Sequence, residues 1–461
     1  MKGKVLEKML GVLTAVVLLT GIFAGCGTKA PALTPDQPAQ PAASSTVEAA
    51  PVQPAAEPVT IKFFSNLPDR NAGQGKLEQT ILDNYQKENT NVKIELEMLQ
   101  DEPYKQKFKA YSASNDLPDL CNVWGQSSFL APVIAGGQLA ELNTADYASY
   151  NFNKGSFDGF SADGKLYGLP RNQDISLLFY NKDIFAKNGV KVPATFQELI
   201  EATKAFRAKG IAPCAINGKD KWAINILFEE ILLKSSGDQK LIYNALNRST
   251  TFAKDPEIIK AADLFKQLMD AKFFQDSFTS ADYGAARNLF GQEKTAMYFM
   301  GEWEMGMAAD TSLPDNFRNN LAVMQFPAID GGKGKVTDYV AWNGGGYAVS
   351  ANSKVKAEAI KLLNYMFMPD NWTKIGWQTG GVTPAQDFQS FFTGNETQVQ
   401  KDIAKYLSLS TSMSGTTWND SATPVFKTDI ENLAQEFAVG MKTPQQFLEG
   451  ADAAADKAAG K

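Results

Sequence analysis

The chain has 461 residues, of which 44% are hydrophobic and 11% aromatic, and its formal net charge is −6. This length exceeds one ordinary domain, so we expect two folded lobes. The acidic balance argues against nucleic acid as a partner, because phosphate binding needs clustered basic side chains. The sequence contains no histidine, which excludes Ser-His-Asp and Cys-His catalysis and the common zinc ligand sets, whereas carboxylate-pair chemistry stays open.

The three cysteines are Cys26, Cys121 and Cys214, too few for a disulfide framework or a metal cluster. We interpret Cys121 and Cys214 as small buried apolar residues. The sequence also lacks a Gly-x-x-x-x-Gly-Lys phosphate loop and a Gly-x-Ser-x-Gly elbow. We therefore expect no cofactor, no metal and no catalytic residue.

The first 25 residues have the pattern of an export signal. A basic start precedes an apolar run from Met9 to Phe23, too short to span a membrane comfortably. The run ends in two small residues before Cys26, which is similar to the bacterial lipobox, whose cysteine is diacylated. We expect a lipoprotein signal peptide over residues 1–25 and a lipid anchor on Cys26. A plain signal peptide or an N-terminal membrane helix is the alternative.

Residues 26–58 are rich in Pro, Ala, Ser and Thr and poor in large apolar side chains. Such a segment cannot offset its ordering entropy, so we predict a disordered tether after the lipidated cysteine. A tether of this kind suits a receptor held at the cell surface, although an inert spacer would look the same.

From Val59 onward, short runs in which every second residue is apolar are separated by amphipathic helical patterns. This order predicts an α/β fold with parallel strands and helical crossovers. The residues from Thr195 to Glu198 form a capping box for a helix ending near Gly210. Further predicted elements are strands at 295–300 and 345–349 and helices at 258–271, 353–367 and 443–459. Ligands of such sheets bind at the carboxyl ends of strands, here near Asn66 and Gln126.

Several motifs occur in an order that resembles one protein family. They are Leu117-Pro118-Asp119, Tyr167-Gly168-Leu169-Pro170, the Tyr-Asn-Lys-Asp run at 180–183, Gly301-Glu302-Trp303 and the glycine-rich run at 342–350. Together they are similar to the family 1 extracellular solute-binding proteins, the group that includes maltose- and oligosaccharide-binding proteins. The resemblance covers roughly residues 59–455.

The resemblance implies a periplasmic-binding-protein-like fold of two lobes, each with a mostly parallel sheet flanked by helices. A hinge with several crossings joins the lobes, and the ligand lies in the cleft between them. The implied N-terminal lobe is 59–171 with 328–370, and the implied C-terminal lobe is 172–327 with 371–461.

Sugar recognition requires aromatic rings for the C–H faces and short polar groups for the hydroxyls. Trp124 and Trp303 match aromatic positions of the family, and Trp222, Trp342 and Trp418 lie in further candidate loops. Each of these rings has packing in a core as its alternative role. Trp372 and Trp377 follow helical spacing, which indicates structural residues.

The polar candidates follow predicted strands. Asp69 and Arg70 match a charged pair of the family, with a solvated surface pair as the alternative, and Asp174 matches a family carboxylate that accepts sugar hydroxyls. The remaining polar candidates are Asn66, Gln126, Asn172 and Asn343.

These observations predict a monomeric, lipid-anchored protein on the extracellular face of the cell membrane. Its ligand is expected to be a sugar, preferably an oligosaccharide, delivered to the transmembrane permease of an ABC importer, with no catalysis. The alternatives are a surface glycoside hydrolase, whose carboxylates and aromatic platforms look similar, and a sugar-sensing co-receptor for a membrane kinase. Peptide or polyamine ligands explain the tryptophan-rich loops less well.

Overall fold

The computed structural model describes residues 57–342 and 344–461. The predicted signal peptide, the anchor at Cys26, most of the predicted tether and the candidate Asn343 lie outside the described residues.

The strands, in chain order, are β1 (Val59–Ser65), β2 (Val92–Met98), β3 (Leu120–Trp124), β4 (Ser161–Ala162), β5 (Lys165–Leu166), β6 (Leu169–Pro170), β7 (Asp174–Asn181), β8 (Ala212–Ala215), β9 (Thr295–Gly301), β10 (Leu321–Met324), β11 (Asp338–Tyr339), β12 (Ala341–Trp342), β13 (Gly345–Val349) and β14 (Ser412–Met413).

The helices are α1 (Gly73–Glu88), α2 (Asp101–Ala113), α3 (Ser127–Ala135), α4 (Lys182–Lys187), α5 (Phe196–Ala208), α6 (Trp222–Ser236), α7 (Leu241–Leu246), α8 (Pro256–Asp270), α9 (Tyr283–Gly291), α10 (Asp315–Asn320), α11 (Lys356–Phe367), α12 (Trp372–Gln378), α13 (Gln398–Ser408), α14 (Pro424–Ala438) and α15 (Pro444–Ala458). Five short 3-10 segments complete the described helical structure, at Thr144–Tyr147, Asp158–Phe160, Phe278–Ser280, Glu302–Ala308 and Gln389–Phe391.

The first sheet has the strand order β2-β1-β3-β13-β6. β1 pairs in parallel with β2 and β3, as the strand–helix alternation predicts, and β13 returns antiparallel to β3 and β6. Because β1 and β3 are parallel, the loops that follow them meet at one edge of the sheet. This edge carries Asn66 and Gln126.

The second sheet has the order β10-β7-β9-β8, and β12 also pairs with β7. Only β8 and β9 are parallel, whereas β7 runs antiparallel to β9, β10 and β12. The expected mostly parallel sheet therefore describes β1 to β3, while the second sheet is mixed. Alternating elements do not reveal the direction in which strands more than a hundred residues apart will pair.

The second sheet is buried on both faces, and successive side chains of β7 point alternately into the two cores. Leu178 belongs to the core with α5, α6 and α8, whereas Leu177 and Phe179 point to the opposite core with α9 and α13. A third core covers the first sheet. Period-2 alternation in a strand flanked by helices gives this division.

Local signals set the ends of several helices. Thr195 and Glu198 form the predicted capping box at the start of α5, which satisfies otherwise unpaired N–H groups of the first turn. Cys121 and Cys214 are buried and form no disulfide among the described residues, and burial raises the pKa of both thiols, so the prediction of small buried residues is confirmed for both. Trp372 and Trp377 are also fully buried, as their spacing predicts.

Candidate functional site

A cavity of about 380 Å³ lies where the loops of the two sheets face each other. Its volume falls in the range of small-molecule sites, roughly 300–1,000 Å³. The first sheet contributes the loops after β1 and β3 together with Arg171, and the second sheet contributes the starts of β7, α6 and α9 and the 3-10 segment after β9. The cavity therefore brings together segments distant in sequence.

Arg171 organises one end of the cavity. Its Nη1 donates to Asn66 Oδ1 at 2.9 Å and to Asn122 Oδ1 at 2.7 Å, and its guanidinium lies 5.8 Å from the Tyr347 ring centroid. A Cβ at Gly345 would lie 2.5 Å from Arg171 Nε, so this close approach requires glycine. The arginine holds Asn66 in place beside the cavity.

Asp174 also borders the cavity, and the side chain of Glu302 lies behind it. The Asn172 side-chain amide donates to Asp174 Oδ1 and to Glu302 Oε1, the latter at 3.4 Å, while Ile175 N–H donates to Glu302 Oε2 at 3.0 Å. Burial raises the pKa of Asp174, an effect that Arg171 opposes. Burial and then the charge of Asp174 raise the pKa of Glu302 well above its usual range.

Three tryptophans from the second sheet form one wall. The Trp303 ring centroid is 6.2 Å from that of Trp222 and 5.8 Å from that of Trp342, with interplanar angles of 49° and 73°. A Cβ at Gly301 would lie 1.9 Å from the Trp303 ring, so the indole lies directly on the glycine backbone. The wall is a set of tilted aromatic faces, which suits a ligand with several apolar faces.

Trp124 comes to the same cavity from the first sheet. Tyr104 and Phe129 hold it through edge contacts with centroid distances of 5.6 and 5.1 Å, and Lys105 Nζ lies 5.2 Å from its centroid. These contacts leave the ring half-buried. Aromatic surface is thus present on both sides of the cavity.

Contacts also join the two sides directly. Trp222 Nε1 donates to Asp101 Oδ2 at 3.1 Å, and Ser128 Oγ donates to Asp420 Oδ1 at 3.2 Å. The main chain repeats the second contact, since Ser128 N–H donates to Asp420 O at 3.1 Å. The structure is therefore closed around the cavity.

Three of the basic groups around the cavity are paired with carboxylates, whereas Arg171 donates to asparagine oxygens. Lys105 lies 2.9 Å from Asp101, Arg287 lies 3.0 Å from Glu304, and Lys427 contacts Asp420. A charged ligand would compete with these pairs, whereas a neutral one would not. Gln74 Oε1 is buried at the cavity without a hydrogen-bond partner, and a bound polar ligand would satisfy it.

Most of the predicted site residues meet at this cavity. Those that line it are Asn66, Asp69, Trp124, Gln126, Asn172, Asp174, Trp222, Trp303 and Trp342. Arg70 lies to one side, where it pairs with Glu78 and donates to Gly75 O at 3.2 Å. The ligand contacts themselves stay predictions.

The structure does not support a ligand contact for Trp418. Its side chain is 1% exposed and stacks on Phe228 at 5.5 Å, within a core shared with Phe252, Phe426 and Phe447. Sequence alone could not identify this ring as a core residue, because Trp418 follows a polar loop and Phe228 and Phe252 lie far from it in the chain.

Sequence reasoning missed several lining residues, notably Arg171, Gln74, Lys105, Tyr283 and Arg287. Arg171 had a local signal, since it follows the Gly-Leu-Pro turn and directly precedes two predicted site residues. Gln74, Lys105, Tyr283 and Arg287 lie on α1, α2 and α9, where helical spacing does not distinguish a cavity from solvent.

The family model for the bacterial extracellular solute-binding proteins matches residues 70–371, well over half of the chain. The chain belongs to this family. The predicted family and the predicted two-lobe α/β fold are confirmed.

Individual members of the family show how far the likeness extends. The chain is 25% identical over 318 residues to the multiple sugar-binding protein of Streptococcus mutans serotype c, which covers 67% of this chain and 71% of the relative. A solved structure from work on xylan utilization by the thermophilic bacterium Caldanaerobius polysaccharolyticus has TM-score 0.77 and 28% identity, covering 86% and 99% of the two chains. A chitin oligosaccharide binding protein has TM-score 0.77 and 22% identity, covering 88% and 100%.

The described residues give no support for a membrane span or a metal site. In residues 57–342 and 344–461, no helix has the length and apolar character needed to cross a membrane. The same residues contain no cluster of three or more acidic or cysteine side chains suited to a metal ion.

Proposed function

We propose that this solute-binding protein captures a neutral oligosaccharide outside the cell and delivers it to the transmembrane permease of an ABC importer. The observation that carries the proposal is the meeting of Trp124, from the first sheet, with Trp222, Trp303 and Trp342, from the second, at one cavity. A pyranose presents C–H faces that such rings cover and hydroxyls that amide and carboxyl groups bind.

The polar groups of the cavity fit sugar hydroxyls. Asn66, Asn172 and Gln74 offer both donors and acceptors, and Asp174 lies among them. The ion pairs of Lys105, Arg287 and Lys427 leave no unpaired basic cluster for an anionic solute among the described lining residues. A neutral polyhydroxylated ligand is therefore favoured over a charged one.

The relatives support the same ligand class. The Streptococcus mutans relative is a multiple sugar-binding protein, and the Caldanaerobius polysaccharolyticus structure comes from work on xylan utilization. Four tryptophans around one cavity provide more aromatic surface than a single pyranose needs, which favours an oligosaccharide.

We assign the lobes to 59–171 with 328–370 and to 172–327 with 371–461. The pairing of β13 with β3 and of β10 with β7 supports this division, except that β11 pairs with β14 and β12 with β7, so residues 338–342 pack with the C-terminal lobe. α11 packs in the core of the first sheet, and α14 and α15 pack in a core of the second. A ligand that contacts both lobes would stabilise the closed form.

The cellular setting is part of the proposal. The export pattern and the small-small-Cys ending of the apolar run support a lipid anchor on Cys26 and a position on the extracellular face of the membrane. We expect the receptor to act as a monomer, since each copy contains both walls of the cavity.

A panel of cellodextrins, maltodextrins and xylo-oligosaccharides tests the function by titration calorimetry and thermal shift. We expect one sugar class to bind, to raise the melting temperature and to be recovered unchanged by chromatography. Shortened products would show instead that the protein is a glycoside hydrolase. Failure of every sugar to bind, in a folded protein, would refute sugar capture.

A further inference from the structure

Asp174 and Glu302 form a pair of acids with little access to solvent. Their residues are 5% and 0% exposed, and both accept a hydrogen bond from the side-chain amide of Asn172. Glu302 Oε2 accepts a further bond from Ile175 N–H at 3.0 Å. Glu302 does not line the cavity, whereas Asp174 does.

Among the described residues, neither Asp174 nor Glu302 forms a direct ion pair with a basic side chain. Arg171 is the nearest facing cation, but its hydrogen bonds go to the side-chain oxygens of Asn66, Asn122 and Asn172. Ser176, two residues after Asp174 on β7, donates a hydrogen bond to Glu230 of α6. Lys234 lies 3.6 Å from Glu230, so this lysine already has an acidic partner. Two buried negative charges side by side are unfavourable, and a proton on one of them relieves the repulsion.

We propose that Asp174 and Glu302 share one proton, that Asp174 therefore presents a neutral carboxyl to the ligand, and that ligand binding is linked to this proton. Glu302 is then a positioning residue that acts through Asp174. The inference rests on the proposed function, because it concerns the same cavity. Both oxygens of Glu302 accept N–H bonds, from Asn172 and Ile175, as a carboxylate does, which points to Asp174 as the holder of the shared proton; burial also raises the pKa of Asp174.

Asp174 lines the cavity although its residue is only 5% exposed. A Cβ at Gly344 would lie 1.6 Å from Asp174 Oδ2, so only glycine at this position leaves room for the carboxyl beside the cavity. A protonated carboxyl can donate a hydrogen bond to a hydroxyl or ring oxygen, which a carboxylate cannot do. The site would therefore select a ligand with an acceptor at this position.

The direction of the pH dependence follows from burial. A ligand that expels water from the cavity further disfavours the ionised pair, so the bound form holds the proton more tightly than the free form. The protein then has its full affinity below the pKa of the pair in the ligand-free protein. The affinity falls as the pH rises through the higher pKa of the pair in the complex, by up to about tenfold per pH unit.

The test measures affinity for the best-bound oligosaccharide from about pH 6 to about pH 9.5, in two buffers of different ionisation enthalpy. We expect weaker binding at high pH with uptake of up to about one proton per ligand. Glu302→Gln removes the second acid and with it the repulsion between two carboxylates, so the upper part of the profile should flatten and the proton uptake should fall. Glu449→Gln, the same change at an exposed position of α15, should keep the wild-type profile.

Affinity that is constant over this range, with no proton uptake, would overturn the inference while leaving sugar capture intact. If no sugar binds, the ligand-free protein still gives an answer by infrared spectroscopy. The protonated carboxyl band at neutral pH, to which buried Glu229 also contributes, should lose the intensity of one group in Asp174→Asn with Glu302→Gln. An unchanged band in that double variant would likewise overturn the shared proton.

Discussion

Replacement of Trp303 by alanine tests the aromatic wall most directly, because Trp303 lies between Trp222 and Trp342 at centroid distances of 6.2 and 5.8 Å. The change removes the central face of the wall. Burying a large apolar side chain is worth about 1.5–3 kcal/mol, and we assign the lower half of this range to the ligand, because Trp303 also contacts its two neighbours. The dissociation constant should then rise by about tenfold to fortyfold.

Titration calorimetry measures this change with the best-bound oligosaccharide, beside Trp303→Phe, which should recover most of the affinity. Tyr243→Ala is the matched aromatic control, since Tyr243 is 65% exposed and does not line the cavity. An unchanged dissociation constant in a folded Trp303→Ala protein would refute the stacking argument. A loss of similar size in Tyr243→Ala would show that the effect is not local.

Three further predictions concern stability and closure. Gly345→Ala should lower the melting temperature and weaken binding, because its Cβ would lie 2.5 Å from Arg171 Nε; unchanged melting would contradict the close packing. Burial raises the pKa of Glu229 to about 8. The contribution of Glu229 to the free energy of unfolding is therefore fully present below about pH 4.5. It is lost as the pH rises toward 8, at up to about 1.4 kcal/mol per pH unit. Urea unfolding across this range should show a shallower fall in Glu229→Gln, and an identical slope would exclude the effect. Ser128→Ala removes the side-chain bond to Asp420 and should weaken ligand binding several-fold with little change in melting, whereas unchanged affinity would remove this contact from closure.

Sequence patterns predicted the parts of the structure that local chemistry determines. The capping box at Thr195, the alternation of β1 and the burial of Trp372 all depend on residues near one another in the chain. The direction of β7 against β9 depends on how distant segments meet, and no local pattern encodes it.

The same distinction explains the site. The sequence indicates Trp124 and Trp303 because Trp124 ends β3 and Trp303 comes two residues after β9, and the ends of these strands face the cavity in this fold. Trp418 also follows a polar loop, yet Phe228 encloses it, and only the three-dimensional packing reveals that contact. Arg171 was missed because its partners Asn66 and Asn122 lie 105 and 49 residues away.

The segment from Arg171 to Asp174 connects the two sheets and also borders the cavity. Two residues from another part of the chain hold the backbone of this segment. Trp372 Nε1 and Ala385 N–H both donate to Arg171 O, at 2.7 and 3.3 Å. A ligand that binds Asp174 therefore acts on the residues that would bend when the lobes move. A solute that touches only one wall gains nothing from closure, because its free energy is the same in the open and closed forms. We therefore expect selectivity to depend on contact with Trp124 and with the opposite tryptophans in the same complex.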